Sequence, residues 1–131
     1  MPVPKSVVYK DFDITFNKHP VTRKISVLTN NQAVKRALKN LILTNKFERP
    51  YSPFYGSDIK RRLFEQMDGT VADDIANDIE FAVSNYERRV KLIDVRVKED
   101  RDSNGIEVSI TFRCLNQTEL DTVSFFLERV R

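Results

Sequence analysis

Apolar residues along this chain change their spacing twice, and the changes divide it into three stretches. Near the start, Phe12, Ile14 and Phe16 alternate with Asp11, Asp13 and Thr15, the period of two that sets one side of a strand against a core. Asn17-Lys18-His19-Pro20 reads as a turn, and Ile25 and Val27 continue in extended form, so residues 11–28 predict a hairpin or an extended arm. Residues 1–10, with Pro2 and Pro4, precede it as a loose arm. The period then lengthens. Val34, Ala37, Leu38, Leu41 and Ile42 recur at i, i+3, i+4, i+7 and i+8, the apolar face of a helix that Asn30 or Asn31 can cap. Pro50 and Pro53 exclude a regular helix through the loop that follows.

Ser57 is placed to cap a short second helix carrying Ile59, Leu63, Phe64 and Met67, which Asp68-Gly69 ends. Thr70 and Asp73 stand as N-cap and N3 of a third helix, with Val71, Ile75, Ile79, Ala82, Val83 and Tyr86 as its buried stripe. Beyond it the period returns to two. Ile93, Val95 and Val97 lead into a polar turn in which Asn104-Gly105 suits left-handed dihedrals, and Ile106, Val108, Ile110, Phe112 and Cys114 alternate out of it. These runs predict an antiparallel hairpin. After Asn116-Gln117, Val123, Phe125 and Leu127 alternate with Ser124, Phe126 and Glu128, which favours a third strand reaching Val130, although a terminal helix also fits. The expected fold is α+β: a hairpin or arm over 11–28, and three helices within 31–86 packed on a small antiparallel sheet over 90–130. All 131 residues fall in one domain.

Composition adds bounds. Hydrophobic residues at 40% and charged residues at 31% are ordinary for a soluble globular protein, and the net charge of +3 is mild. No apolar run has the length of a membrane span and the first residues lack the apolar core of a signal peptide, so neither membrane insertion nor a cleaved leader is expected. Lys35, Arg36 and Lys39 lie off the apolar face of the first helix and read as a solvated face. Together with Lys46, Arg61 and Arg62 they are the set a basic nucleic-acid-binding module would use, a reading the small charge excess permits without demanding.

Candidate chemistry is sparse. Cys114 is the only cysteine; it excludes an internal disulfide and, in an alternating apolar run, reads as a small core residue. His19, the only histidine, precedes a proline in a turn, where a surface role suits it better than catalysis. No serine stands in a nucleophile elbow, no residues have metal-ligand spacing, and none of the three glycines builds a phosphate cradle, so no catalytic residue, metal or cofactor is expected. A peptidoglycan hydrolase would need two carboxyl groups across a cleft, one kept protonated in an apolar pocket. Glu87 is the best-placed acid, but Arg88 and Arg89 beside it favour the carboxylate, and Glu65 after Phe64 is a weak second.

One constellation says more. Arg49-Pro50-Tyr51-Ser52-Pro53-Phe54-Tyr55-Gly56 is a proline-stiffened aromatic loop; Leu63-Phe64-Glu65 follows, and Glu87-Arg88-Arg89 closes the third helix. This order resembles the baseplate wedge and sheath-initiator family of contractile-tail phages, some of whose members carry a lysozyme label and which has counterparts in type VI secretion baseplates. The likeness covers roughly residues 12 to 130 and is densest from Arg49 to Val97. The family's Glu-Pro-Arg motif falls at Glu87, Arg88 and Arg89, with Arg88 in place of the proline. The resemblance implies a structural protein of the virion tail baseplate, assembled in the host cytoplasm and present in sixfold copies. It implies that Glu87, Arg88 and Arg89 bind baseplate wedge core proteins. It also implies that the C-terminal strands, through Val123, Ser124, Phe125, Phe126 and Leu127, accept strands of the tail sheath protein and so initiate the sheath. The loop from Arg49 to Gly56 is expected to be ordered and largely buried, since rings at Tyr51, Phe54 and Tyr55 fold back on the core or fill a partner's pocket.

Overall fold

The computed structural model describes residues 9–13, 15–66, 68–115 and 117–129. Among them the elements run β1 (Lys10–Phe12), β2 (Val27–Thr29), α1 (Asn31–Leu43), α2 (Ile59–Arg62), α3 (Gly69–Tyr86), β3 (Val90–Asp100), β4 (Gly105–Cys114) and β5 (Leu120–Glu128). This is the expected α+β order. Expectations for the arm up to residue 8, for Ile14, Met67 and Asn116, and for Val130 and Arg131 lie outside the described residues.

β1 and β2 pair antiparallel, with Lys10 opposite Thr29 and Phe12 opposite Val27, so the hairpin alternative holds. His19 serves its turn: the Nδ1 accepts the backbone N–H groups of Val21 and Thr22, each at 3.3 Å. The main sheet has the order β3-β4-β5, antiparallel throughout, and the last segment is a strand. The central strand buries the side of its alternation that carries Ile106, Val108, Ile110, Phe112 and Cys114, and β5 adds Phe125 and Leu127.

The alternation read for β3 needs one correction. Leu92 pairs with Phe112 and Asp94 with Thr111, leaving Ile93 as an inserted residue. Such a bulge shifts the side-chain phase by one. Val90 and Leu92 meet the core before it and Val95 and Val97 after it, while Ile93 is 48% exposed.

Helices cover the apolar side of the sheet, α3 over β3 and α1 alongside β5. Ala33, Val34, Leu38, Leu41 and Ile42 of α1 and Ile75, Ile79, Ala82 and Val83 of α3 are buried, and Ile59 and Leu63 complete the layer. The helix caps differ from expectation. Asn30 occupies the N-cap of α1 without a side-chain cap bond. Asn31 turns to the sheet instead: its Nδ2 donates to Asp121 Oδ2 at 3.0 Å and its Oδ1 accepts from Cys114 Sγ at 3.2 Å. Asp68, and not Thr70, caps α3, its Oδ1 accepting the Val71 N–H at 2.9 Å, so Asp68-Gly69 starts one helix instead of ending another. Ser57 does not cap α2; it is buried and its Oγ donates to the Ile42 carbonyl at 2.6 Å. With α2 only one turn long, Phe64 falls beyond it and is exposed.

Candidate functional site

The two motif blocks, 38 positions apart at Arg49 and Glu87, meet at the C-terminal end of α3. Glu87 is the C-cap of that helix and donates its N–H to the Val83 carbonyl at 2.9 Å. Its carboxylate is almost wholly buried, the residue being 8% exposed. Both carboxylate oxygens are taken by Arg89, Oε1 from Nε and Oε2 from Nη2, each at 2.7 Å. Oε1 also accepts the Arg89 backbone N–H at 3.3 Å. Here the side chain of Glu87 closes the turn, and Arg88 is exposed at its tip. This bidentate bond strengthens the guanidinium's hold on its proton, which burial opposes.

Aromatic rings surround this pair. The Arg89 guanidinium lies 5.4 Å from the centre of the Tyr9 ring. The Arg49 guanidinium sits over Tyr55 at 3.9 Å, and Tyr55 meets Tyr86 edge to face at 5.3 Å. Burial pushes the Tyr55 phenol above its ordinary pKa, with Arg49 pulling the other way. So Arg49, Tyr55 and Tyr86 form one cation–aromatic cluster at the end of α3, beside the Glu87–Arg89 pair with its Tyr9 ring, which sequence spacing did not reveal because the members belong to a loop and a helix end.

The loop between them is held but not buried. Phe47 N–H donates to the Pro53 carbonyl at 2.6 Å, Tyr55 N–H to Ser52 at 3.1 Å and Ser57 N–H to Thr44 at 2.9 Å. Gly56 has φ +117°, and a methyl group there would strike the Thr44 carbonyl oxygen. Yet Arg49, Pro50, Pro53 and Phe54 are exposed and Tyr51 is 97% exposed, which corrects the alternative that Tyr51 and Phe54 fold back on this chain's own core and leaves the partner's pocket as the other. Only Tyr55 and Gly56 fold inward, because the two prolines carry the chain away from the core before Gly56 turns it back. Phe54 instead stacks edge to face on Phe47 at 5.9 Å, and with Lys46, Phe81, Asn85 and Tyr86 it lines a surface groove. The signal that was missed is Phe81, a large apolar residue on the polar side of α3.

The C-terminal residues occupy one of the two free edges of the sheet, β3 forming the other. The Arg129 N–H donates to the Asn104 carbonyl at 2.9 Å, and the Leu115 N–H to Arg89 at 2.9 Å. Antiparallel alternation counted from these bonds turns the N–H and C=O of Leu120, Thr122, Ser124, Phe126 and Glu128 away from β4. Val123 is half-buried, Phe125 and Leu127 are buried, and Ser124 and Phe126 are exposed.

The other candidate chemistries fare differently. Cys114 is buried, and desolvation raises its thiol pKa, as a core residue requires. Glu65 lines a cleft with Leu63, Phe64, Gln66, Asn104 and Arg129 to which Glu87 does not contribute. Within the basic set, Lys35 pairs with Asp121 at 2.8 Å, Arg36 with Asp13 at 3.8 Å, Lys46 with Asp58 at 3.3 Å and Arg62 with Asp78 at 2.7 Å. Among the described residues no helix is long and apolar enough to cross a membrane.

Comparison with known proteins agrees with the geometry. The family model described as baseplate wedge protein gp25 matches residues 29–119. The baseplate wedge protein gp25 of Enterobacteria phage T4 is 32% identical over 116 residues, spanning 86% of this chain and 84% of that protein. Among solved structures, a Geobacter sulfurreducens protein given the provisional name of tail lysozyme superposes with a TM-score of 0.74 at 18% identity, over 81% of this chain and 97% of that one. A chain of the anti-feeding prophage baseplate superposes with a TM-score of 0.64 at 20% identity, over 95% of this chain and 88% of that one. At these identities the two structures speak to fold alone. The family match and the phage relative establish that the chain belongs to the baseplate wedge protein gp25 family, structural proteins of contractile tails that reside in the tail baseplate of the virion.

Proposed function

We propose that this protein joins the wedge core to the tail sheath through two separate surfaces and initiates sheath assembly from one of them. The wedge-facing surface is the end of α3, where Arg88, the guanidinium of Arg89, Arg49, Tyr55 and Tyr86 meet the partner. Glu87 acts from behind them: both its oxygens are committed to Arg89, so it fixes that side chain and makes no partner contact of its own. The sheath-facing surface is the edge of β5 from Leu120 to Glu128.

One observation carries this reading. The β5 edge offers backbone donors and acceptors at alternate residues over the length of a strand, beside a face whose Phe125 and Leu127 are packed in the core. An incoming strand gains a ladder of hydrogen bonds there without new folding. Sixfold copies in the baseplate would present a ring of such edges, which is what templating a first sheath ring requires. The protein is no hydrolase in this reading, because a carboxylate held at both oxygens by a guanidinium is a poor general acid. Nor is it a nucleic-acid binder in this reading, since Lys35, Lys46 and Arg62 of the candidate set are engaged by carboxylates.

The test is reconstitution of baseplates with Ser124→Pro, which removes an edge-facing N–H and leaves the inner bonds of β5 in place. Wedges are expected to form normally and to fail to nucleate sheath. Normal sheath growth on such baseplates overturns the strand-addition reading. Cell-wall clearing by the purified protein, lost on Glu87→Gln or Glu65→Gln, would overturn the non-enzymatic one.

A further inference from the structure

The basic residues of α1 find no use in either surface described above, yet they stand beside one of them. Gln32, Lys35, Arg36 and Lys39 recur at helical spacing along one side of α1 and, with Val123 and Ser124 of β5, they line a groove that runs between the helix and the free strand edge. Their charges are unequally satisfied. Lys35 is held by Asp121 at 2.8 Å, at the start of the strand. Arg36 reaches Asp13 only at 3.8 Å. Lys39 enters none of the ion pairs among the described residues. The groove is therefore neutralised where Lys35 meets Asp121, and its unmatched positive charge lies with Lys39.

A strand added to β5 must lie along this groove. Its side chains alternate, and those standing beside Val123 share that residue's side of the sheet and project toward α1. There they meet Arg36 and Lys39. Apolar side chains in those positions would leave Lys39 without a partner and strip water from it at a cost. Acidic side chains would pair with both cations, and at a partly desolvated site such complementarity selects register and partner more than it adds raw affinity.

From this juxtaposition we propose that the β5 edge selects an acidic strand: the incoming segment carries Asp or Glu on its helix-facing side, beside Val123, where Arg36 and Lys39 receive it. The α1 face is then an electrostatic reader for the strand-addition site. The inference rests on the strand-addition reading and adds to it the chemistry of the partner.

The probes are synthetic nine-residue extended peptides that differ only at the helix-facing positions, with Glu, Gln or Lys there. A fourth carries Glu with N-methyl groups on the backbone amides that would face β5. Binding to the full-length chain is read by fluorescence anisotropy at low and at high salt. The Glu peptide is expected to bind about tenfold more tightly than the Gln peptide at low salt, an advantage that shrinks as salt is raised. Lys39→Glu, an exposed-side change that leaves the core untouched, is expected to abolish that advantage and to favour the Lys peptide. N-methylation is expected to abolish binding without any change to the protein.

Equal binding of Glu and Gln peptides, both lost on N-methylation, overturns the acidic preference and leaves strand addition standing. Failure of every peptide to bind a folded chain overturns strand addition itself. Binding of the Glu peptide that survives N-methylation, or equal binding of a single-stranded oligonucleotide with the same dependence on Lys39, means that α1 holds polyanions without a strand, and overturns the proposal.

Discussion

Glu87 shows how a charged residue at a helix end can be buried when a single neighbour satisfies it. Its buried carboxylate is tolerable because one guanidinium satisfies both oxygens. Removing only the arginine strands that carboxylate, whereas removing both leaves neither charge behind. Arg89→Ala is therefore expected to destabilise the chain by about 2 kcal/mol and the Glu87→Ala/Arg89→Ala pair by less than the sum of the singles, measured by urea unfolding. A strictly additive pair would mean that the two side chains do not act as a unit. Gly56 illustrates the other kind of constraint. Its φ of +117° and its approach to the Thr44 carbonyl leave no room for a side chain, so Gly56→Ala is expected to cost about 2 kcal/mol or more in the same measurement. Asp121 supplies a pH signal. Burial disfavours its charge, but the Lys35 ammonium, the Thr122 N–H and the Asn31 amide together hold its pKa below the ordinary 3.8. A depressed carboxyl contributes stability above its unfolded pKa, and that contribution disappears as pH falls through the lower folded value. Thermal unfolding followed from pH 6 to pH 2 is expected to show a steeper acid loss for the wild type than for Asp121→Asn.

At the scale of elements, the sequence was most legible where one period ran unbroken. The stripe of α1 and the alternation of β4 need no information from outside their own segments, and the structure buries almost the residues they name. Interruptions were harder. The inserted Ile93 in β3 looks like an inward residue to any reading of period two, because its neighbours on either side keep the alternation only after a shift that the partner strand reveals. The caps were misread for a related reason: Asp68 and Thr70 are both good N-caps, and only the start of α3 at Gly69 chooses between them. The candidate site was legible in parts. Arg49, Glu87 and Arg89 were named from motif resemblance, but the stacking of Arg49 on Tyr55 and of Tyr55 on Tyr86 is a tertiary contact, and the groove around Phe54 and Phe81 left only the faint mark of apolar residues in polar company. That groove adjoins the proposed wedge-facing surface and carries its own expectation. Phe54→Ser with Phe81→Ser removes two exposed rings and no core contact, so folding is expected to survive while wedge assembly, read by co-purification, weakens at least tenfold. Unchanged assembly would confine the wedge contact to the charged turn.

At the scale of the whole molecule, the two proposed surfaces belong to opposite edges of one sheet. The Glu87–Arg89 turn leads directly into β3, while sheath strands would add to β5, and β4 lies between, bonded to both. The central strand is also the most deeply buried, with Ile106, Val108, Ile110 and Phe112 fully covered, so it gives the two edges a rigid common support. This arrangement makes deletion of the C-terminal strand an unsound probe of sheath nucleation. Cutting before Asp121 removes Phe125 and Leu127 from the core and the Asp121 bonds to Lys35 and Asn31, so the truncated chain is expected to unfold instead of merely losing an edge. Point changes at the edges keep the support intact, and they separate the functions. A protein carrying Ser124→Pro should join wedges with wild-type affinity, and one carrying Phe54→Ser and Phe81→Ser should bind a sheath-derived strand as the wild type does. With no shared partner residues, the two effects should add when combined, within about 0.5 kcal/mol in binding free energy. Isothermal titration of wedge and strand onto the single and combined variants checks this. A strong coupling between the edges would mean that wedge docking alters the sheath-facing strand through β4, and that the protein relays the state of the baseplate to the sheath instead of only holding the two together.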